Sequence, residues 1–233
     1  MTAKHVGGLG FNLNGTDYTA TQRIDHPTAD ISLLRFSNTF TKYSLPFFDD
    51  VMGQVLTFVG FGATASERTA GANAWTGYDY QGGFGTRRAV TNRIEDQVVE
   101  NVGGHTSMAL LADLDYYSGQ TPLGSQDDFL GGGGATANEG GVIFGDSGGG
   151  SLLQVNGEWR IAGVNIWISD THGPNPGGNS NYLDYGDVFA ATSIHEYRDW
   201  IRTNAPETVP EPATMAALGL GVLALLKRRR SKI

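Results

Sequence analysis

The 233-residue chain contains no cysteine, so disulfides and thiolate metal sites contribute nothing to its fold or chemistry. That absence leaves the compartment open, because a domain of this size buries enough surface without covalent cross-links. Basic residues are scarce in the body of the chain. Residues 1–204 hold 11 Lys+Arg against 22 Asp+Glu, a balance of −11. Such a surface argues against nucleic acid as a partner, since phosphate binding needs a basic face. Clear helical stretches are also few. Glycine is abundant, with 34 residues set among short apolar runs, and this favours β structure joined by turns.

Segments 30–36, 54–61, 87–94 and 107–114 read as strands separated by Gly-, Asn-, Thr- and Ser-rich stretches. Segments 149–155 and 158–168 flank Asn156-Gly157, a pair suited to a type I′ hairpin turn. One helix is signalled near residue 200. Ser193 and Glu196 have capping-box spacing, and Ile194, Tyr197 and Ile201 follow at helical intervals. The run Gly131–Gly134 reads as a flexible loop without chemistry of its own.

Gly145-Asp146-Ser147-Gly148-Gly149 sets a serine between glycines that leave its hydroxyl uncrowded. A serine hydroxyl needs a neighbouring base to become a useful nucleophile. Upstream, Thr2-Ala3-Lys4-His5 ends in a histidine, and Asp30 opens the apolar segment Asp30-Ile31-Ser32-Leu33-Leu34. Gly145-x-Ser147-x-Gly149 alone also fits a nucleophile elbow, but that arrangement places serine before acid and histidine. Here histidine and aspartate precede serine.

The three segments, in this order, resemble those of the trypsin/chymotrypsin-like serine peptidases: Thr-Ala-x-His, Asp-Ile-Ala-Leu-Leu and Gly-Asp-Ser-Gly-Gly. The resemblance covers about residues 1–204. It implies an all-β, chymotrypsin-like double β-barrel closed by a C-terminal helix, and peptide hydrolysis without a cofactor. Ser147 is the implied nucleophile, His5 the base and Asp30 the group orienting it. The implied oxyanion hole uses the N–H groups of Gly145 and Ser147. Gly141 falls at the implied base of the specificity pocket. Ile166, Trp167 and Ile168 fall on the edge that pairs with a peptide substrate. With no charge at Gly141 and Ile168 where the family has glycine, small or medium apolar side chains are expected before the scissile bond. Asp184 and Asp187, near the opposite wall in sequence, keep a basic preference open.

Asp146 is implied to pair with a new N-terminal ammonium after activation. Only four residues precede His5, whereas the family has several strands there. The first barrel is therefore expected to be incomplete as written, with the reading frame continuing upstream of Met1. The alternative reading is an inactive binding module of the same fold; an esterase using the same triad also fits. His26, before Pro27, reads as structural. His105, His172 and His195 lack metal-ligand spacing. Asp113, Asp115, Asp127 and Asp128 are calcium-type ligands, but no loop pattern forms a known cage, so no metal requirement is expected.

Residues 205–212 read as a proline-rich extended linker. An uncharged apolar run, 213–226, then precedes Lys227-Arg228-Arg229-Arg230. This order resembles the bacterial PEP-CTERM sorting tail, which implies export, processing by an exosortase-type enzyme and delivery to the cell surface or exterior. Fourteen helical residues span about 21 Å, short of a hydrocarbon core of about 30 Å. The run is therefore expected to give a temporary inner-membrane contact, with the basic cluster cytoplasmic; an ordinary single-span transmembrane anchor is the alternative.

Overall fold

The computed structural model describes residues 1–67, 78–115, 128–169 and 184–206. The chain is mostly β. Two short antiparallel hairpins come first: β1 (Gly10–Leu13) with β2 (Thr16–Thr19), and β3 (Gln22–Asp25) with β4 (Ser32–Arg35). They are followed by β5 (Leu45–Pro46), β6 (Val55–Gly60), and the pair β7 (Thr64–Glu67) and β8 (Tyr78–Gly82). The remaining strands are β9 (Arg88–Arg93), β10 (Asp96–Val102), β11 (His105–Asp113), β12 (Gly150–Val155), β13 (Glu158–Ser169) and β14 (Val188–Ser193).

Eight of these strands form one open half-barrel sheet. Its order is β10-β11-β14-β13-β12-β6-β9, with β5 added beside β13. All its pairings are antiparallel except β5 with β13. Among the described residues the architecture is thus this open sheet with three separate two-stranded pairs.

The expected strands 54–61, 87–94, 107–114, 149–155 and 158–168 all appear, with ends shifted by one or two residues. Local chemistry explains the sharpest of them. Asn156 and Gly157 adopt φ of 52° and 83°, the paired positive values a type I′ turn requires. The β12–β13 register runs directly from Val155 opposite Glu158.

The apolar faces bury two clusters. Ile31, Leu111, Val164, Ile166, Ile194 and Ile201 pack in one, Leu56, Phe58, Ile94, Leu110 and Phe189 in the other. Phe58 and Phe189 meet edge to face at 5.0 Å between ring centroids, an arrangement favoured by the ring quadrupoles.

The C-terminal helix α1 (Arg198–Asn204) forms, but the capping box does not. Ser193 is the last residue of the buried strand β14, where its Oγ has no hydrogen-bond partner. Glu196 accepts instead from Gln97 Nε2 at 3.1 Å. The strand uses Ser193 first, so the helix starts a turn later. Among the described residues, no helix is long and apolar enough to cross a membrane. The expected apolar helix 213–226, His172 and Asp127 lie outside the described residues.

Candidate active site

His5 sits in a single 3₁₀ turn, Lys4–Val6, at the start of the chain. Arg23 secures this turn from β3. Its Nη2 donates to the Lys4 carbonyl at 2.6 Å and to Ser32 Oγ at 3.1 Å, and its Nη1 donates to the Gly8 carbonyl at 3.3 Å. Thr2 pairs with Ser32 through two backbone bonds, which fixes the run leading to His5 against the edge of β4.

Asp30 is fully buried just before β4. Its Oδ2 lies 2.5 Å from His5 Nδ1, and its Oδ1 accepts the His5 backbone N–H at 2.8 Å. An ionised carboxylate only accepts, so this pairing places the ring proton on Nδ1 and leaves Nε2 free to take one. Burial pushes the Asp30 carboxyl up. Hydrogen bonds from the His5 ring and amide outweigh it and hold the group below the usual carboxylate range. The backbone of Asp30 is held as well. Its N–H donates to Ser107 Oγ at 2.7 Å, and its carbonyl accepts from Thr192 Oγ1 at 3.1 Å.

The serine loop is clamped between β6 and β13. Asn165 accepts the Gly148 N–H at 2.8 Å through its backbone carbonyl, while its side-chain Nδ2 donates to the Val59 carbonyl at 3.2 Å. Asp146 Oδ1 accepts from Gly62 N–H at 2.7 Å, and Oδ2 from Ile143 N–H at 2.9 Å. Burial raises the Asp146 carboxyl above its ordinary value, partly opposed by these two bonds and by Arg88. As the chain stands, these two amides occupy the Asp146 carboxylate.

The N-terminal run meets this loop directly. A Cβ placed on Gly148 would run into Thr2 Oγ1 and lie 3.3 Å from Ala3 N. The fold therefore brings the His5–Asp30 pair and the Ser147 loop to one region, across the boundary between a hairpin and the large sheet. Ser147 Oγ donates to the Ile166 carbonyl at 3.4 Å, and no hydrogen bond joins it to His5. That carbonyl lies where the β13–β14 register slips between Asn165 and Trp167. Such a bulge turns one residue out of the ladder.

Gly145 has φ of 90°, a conformation that L side chains rarely adopt, and Phe84 lies against it. Among the described residues, neither the Gly145 N–H nor the Ser147 N–H donates a hydrogen bond. Ser147 lines a cavity of about 170 Å³ together with Val142, Ile143, Phe144, Ile166, Trp167 and Ile168, and Gly145 lies between two of these lining residues in the chain, Phe144 and Ser147. No charged side chain among the described residues lines it. Gly141 does not reach this cavity. It borders a neighbouring one and faces the Phe189 ring, 3.0 Å from the position of a Cβ. Asp184 and Asp187 are buried and outside the lining of the 170 Å³ cavity.

Sequence reasoning missed Arg23, Phe84, Ser107 and Asn165, which carry no motif of their own. His26 is structural, as expected. Its Nδ1 accepts from the Thr28 and Ala29 amides, and its ring packs against Tyr197 and Trp200.

Comparison with known families finds the PEP-CTERM protein-sorting motif at residues 208–230. The chain is therefore an exported protein whose C-terminal tail is membrane-anchored before an exosortase-type enzyme processes it. No curated protein matches the chain.

Proposed function

We propose that this chain is an exported serine endopeptidase of the chymotrypsin-like class, displayed at the cell surface or released beyond it. The carrying observation is the buried Asp30 carboxylate gripping both the ring and the amide of His5, on a segment packed against the Ser147 loop. The reading rests on the chain's own residues.

In the proposed reaction, Ser147 Oγ forms a bond to the scissile carbonyl carbon while its proton passes to His5 Nε2. Asp30 stabilises the resulting imidazolium. The developing oxyanion accepts from the unpartnered N–H groups of Gly145 and Ser147, each worth about 3 kcal/mol in such a site. Collapse breaks the C–N bond, and His5 returns its proton to the departing amine. Water then attacks the acyl-enzyme by the same route and regenerates the serine.

This chemistry requires the Ser147 hydroxyl to leave the Ile166 carbonyl and turn to His5. The resting bond to Ile166 favours a second reading, a binding module that holds peptides without turning them over. Either reading uses the same edge. β12 parts from β13 beyond Val164, so Ile166–Ile168 has β14 on one side and no strand on the other among the described residues. An extended peptide fits there as an added strand.

A fluorophosphonate probe distinguishes the two readings on the full chain. Hydrolytic function predicts covalent labelling at Ser147 and none in Ser147→Ala. An unlabelled wild-type chain supports the binding module and ends the enzymatic proposal. The uncharged lining of the 170 Å³ cavity predicts cleavage after small or medium apolar residues. A peptide-library digest dominated by Lys and Arg at that position contradicts this preference.

A further inference from the structure

A second group of side chains lies away from the Ser147 loop and takes no part in the proposed hydrolysis. Glu95 occupies the turn between β9 and β10, Asp113 ends β11, and Asp128 stands at the start of the segment leading to Gly131–Gly134. One carboxylate oxygen from each lies within 4.8 Å of the others. Asp113 is fully buried, and its Oδ1 has no hydrogen-bond partner. Both Glu95 oxygens are buried without a donor as well. Asp113 Oδ2 is satisfied by the Leu130 N–H at 2.9 Å, so this segment already docks on the cluster. The approach is close at Gly132, where any Cβ would occupy the space of the Glu95 carboxylate.

Buried carboxylate oxygens without donors are costly, because nothing replaces the water they lose. The Glu95 N–H is turned away from the cluster and donates to the Leu111 carbonyl at 2.9 Å.

We infer that Glu95, Asp113 and Asp128 form a calcium site that pins residues 128–134 onto the β9–β10–β11 corner. The donor set is all oxygen, which selects a hard cation. Calcium holds its oxygens at about 2.3–2.6 Å, so ligands up to about 5 Å apart fit around one ion. Magnesium, at about 2.1 Å, spans only about 4.2 Å and demands stricter geometry. Three carboxylates supply part of a shell of about 6–8 oxygens, and water completes it on the exposed Asp128 side. Export to a calcium-containing exterior suits a site of modest affinity, with Kd on the order of 10⁻⁴ M. Its role is structural. The pinned segment runs directly into Thr136 and Glu139, whose hydrogen bonds at 2.7 Å hold the approach to the serine loop.

The test is calcium-dependent melting of the full chain in mild detergent, followed by circular dichroism. About 1 mM CaCl₂ is expected to raise Tm by roughly 4 °C or more relative to EDTA, with a much smaller rise in MgCl₂. Asp128→Asn, at an exposed position, should fold normally and bind calcium about tenfold more weakly by calorimetry. Glu95→Gln should melt in EDTA at or above the wild-type temperature and lose the calcium response. Equal melting of the wild type in calcium and EDTA overturns the site. So does a calcium response that survives both substitutions, or one that magnesium reproduces in full.

Discussion

Asp30→Asn is expected to lower kcat/KM on an apolar peptide ester by about 10⁴-fold, the scale a mis-set imidazole tautomer costs a triad. The reason lies in the two hydrogen bonds that Asp30 accepts from one residue. The His5 backbone N–H must meet an oxygen at the Oδ1 position, 2.8 Å away. In asparagine this forces the amide nitrogen into the Oδ2 position, 2.5 Å from the His5 ring. That nitrogen donates, so Nδ1 must accept and the ring proton moves to Nε2. Nε2–H cannot take the Ser147 proton. Fluorophosphonate labelling should slow in parallel, while circular dichroism stays unchanged because the side chains are isosteric. Turnover within about tenfold of wild type would remove Asp30 from the mechanism.

The same substitution alters acid stability. The folded pKa of Asp30 is depressed, so its contribution is fully present above the unfolded value of about 3.9 and fades as pH falls through the folded one. Asp30→Asn should flatten that part of the acid limb in urea titrations followed below about pH 4.

What the sequence made legible was chemistry that resides in neighbouring residues. Asn156-Gly157 specifies its turn through backbone dihedrals alone, and the apolar strands around it follow from their own side chains. Asn14-Gly15 carries the same signal, with φ of 52° and 84°, and defines the β1–β2 hairpin that sequence reading passed over. Positions whose meaning depends on topology were not legible. Ser107 holds Asp30 from 77 residues away, and Gly141 faces Phe189 because β14 runs beneath it. The capping box at Ser193 failed for a related reason, since tertiary burial of β14 overrode a local preference. Glu95, Asp113 and Asp128 converge only once β10 pairs with β11 and so brings the turn after β9 against the end of β11. Individually they look like ordinary solvated acids.

Asp146→Ala is expected to destabilise the fold by about 2–4 kcal/mol and to cut activity at least about 100-fold, although it touches no proposed catalytic atom. Its carboxylate joins the end of β6 to the serine loop by accepting the Gly62 and Ile143 amides at 2.7 and 2.9 Å. Truncation leaves two donors in a largely dry site, at about 1–3 kcal/mol each, with partial relief from entering water. It also opens space behind Gly145 and Ser147, whose N–H groups must hold still to meet an oxyanion. Stability and activity should therefore fall together in urea titration and ester hydrolysis. A pH signature separates this from a simple packing loss. The folded pKa of Asp146 is raised, so its ionisation works against the native state as pH climbs from about 3.9 through the folded value. The deficit of the alanine variant should accordingly be greatest at the acid end of that window and shrink above it. A deficit that grows with pH across the window, or full activity in the alanine variant, would show that the Gly62 and Ile143 bonds do not hold the serine loop in place.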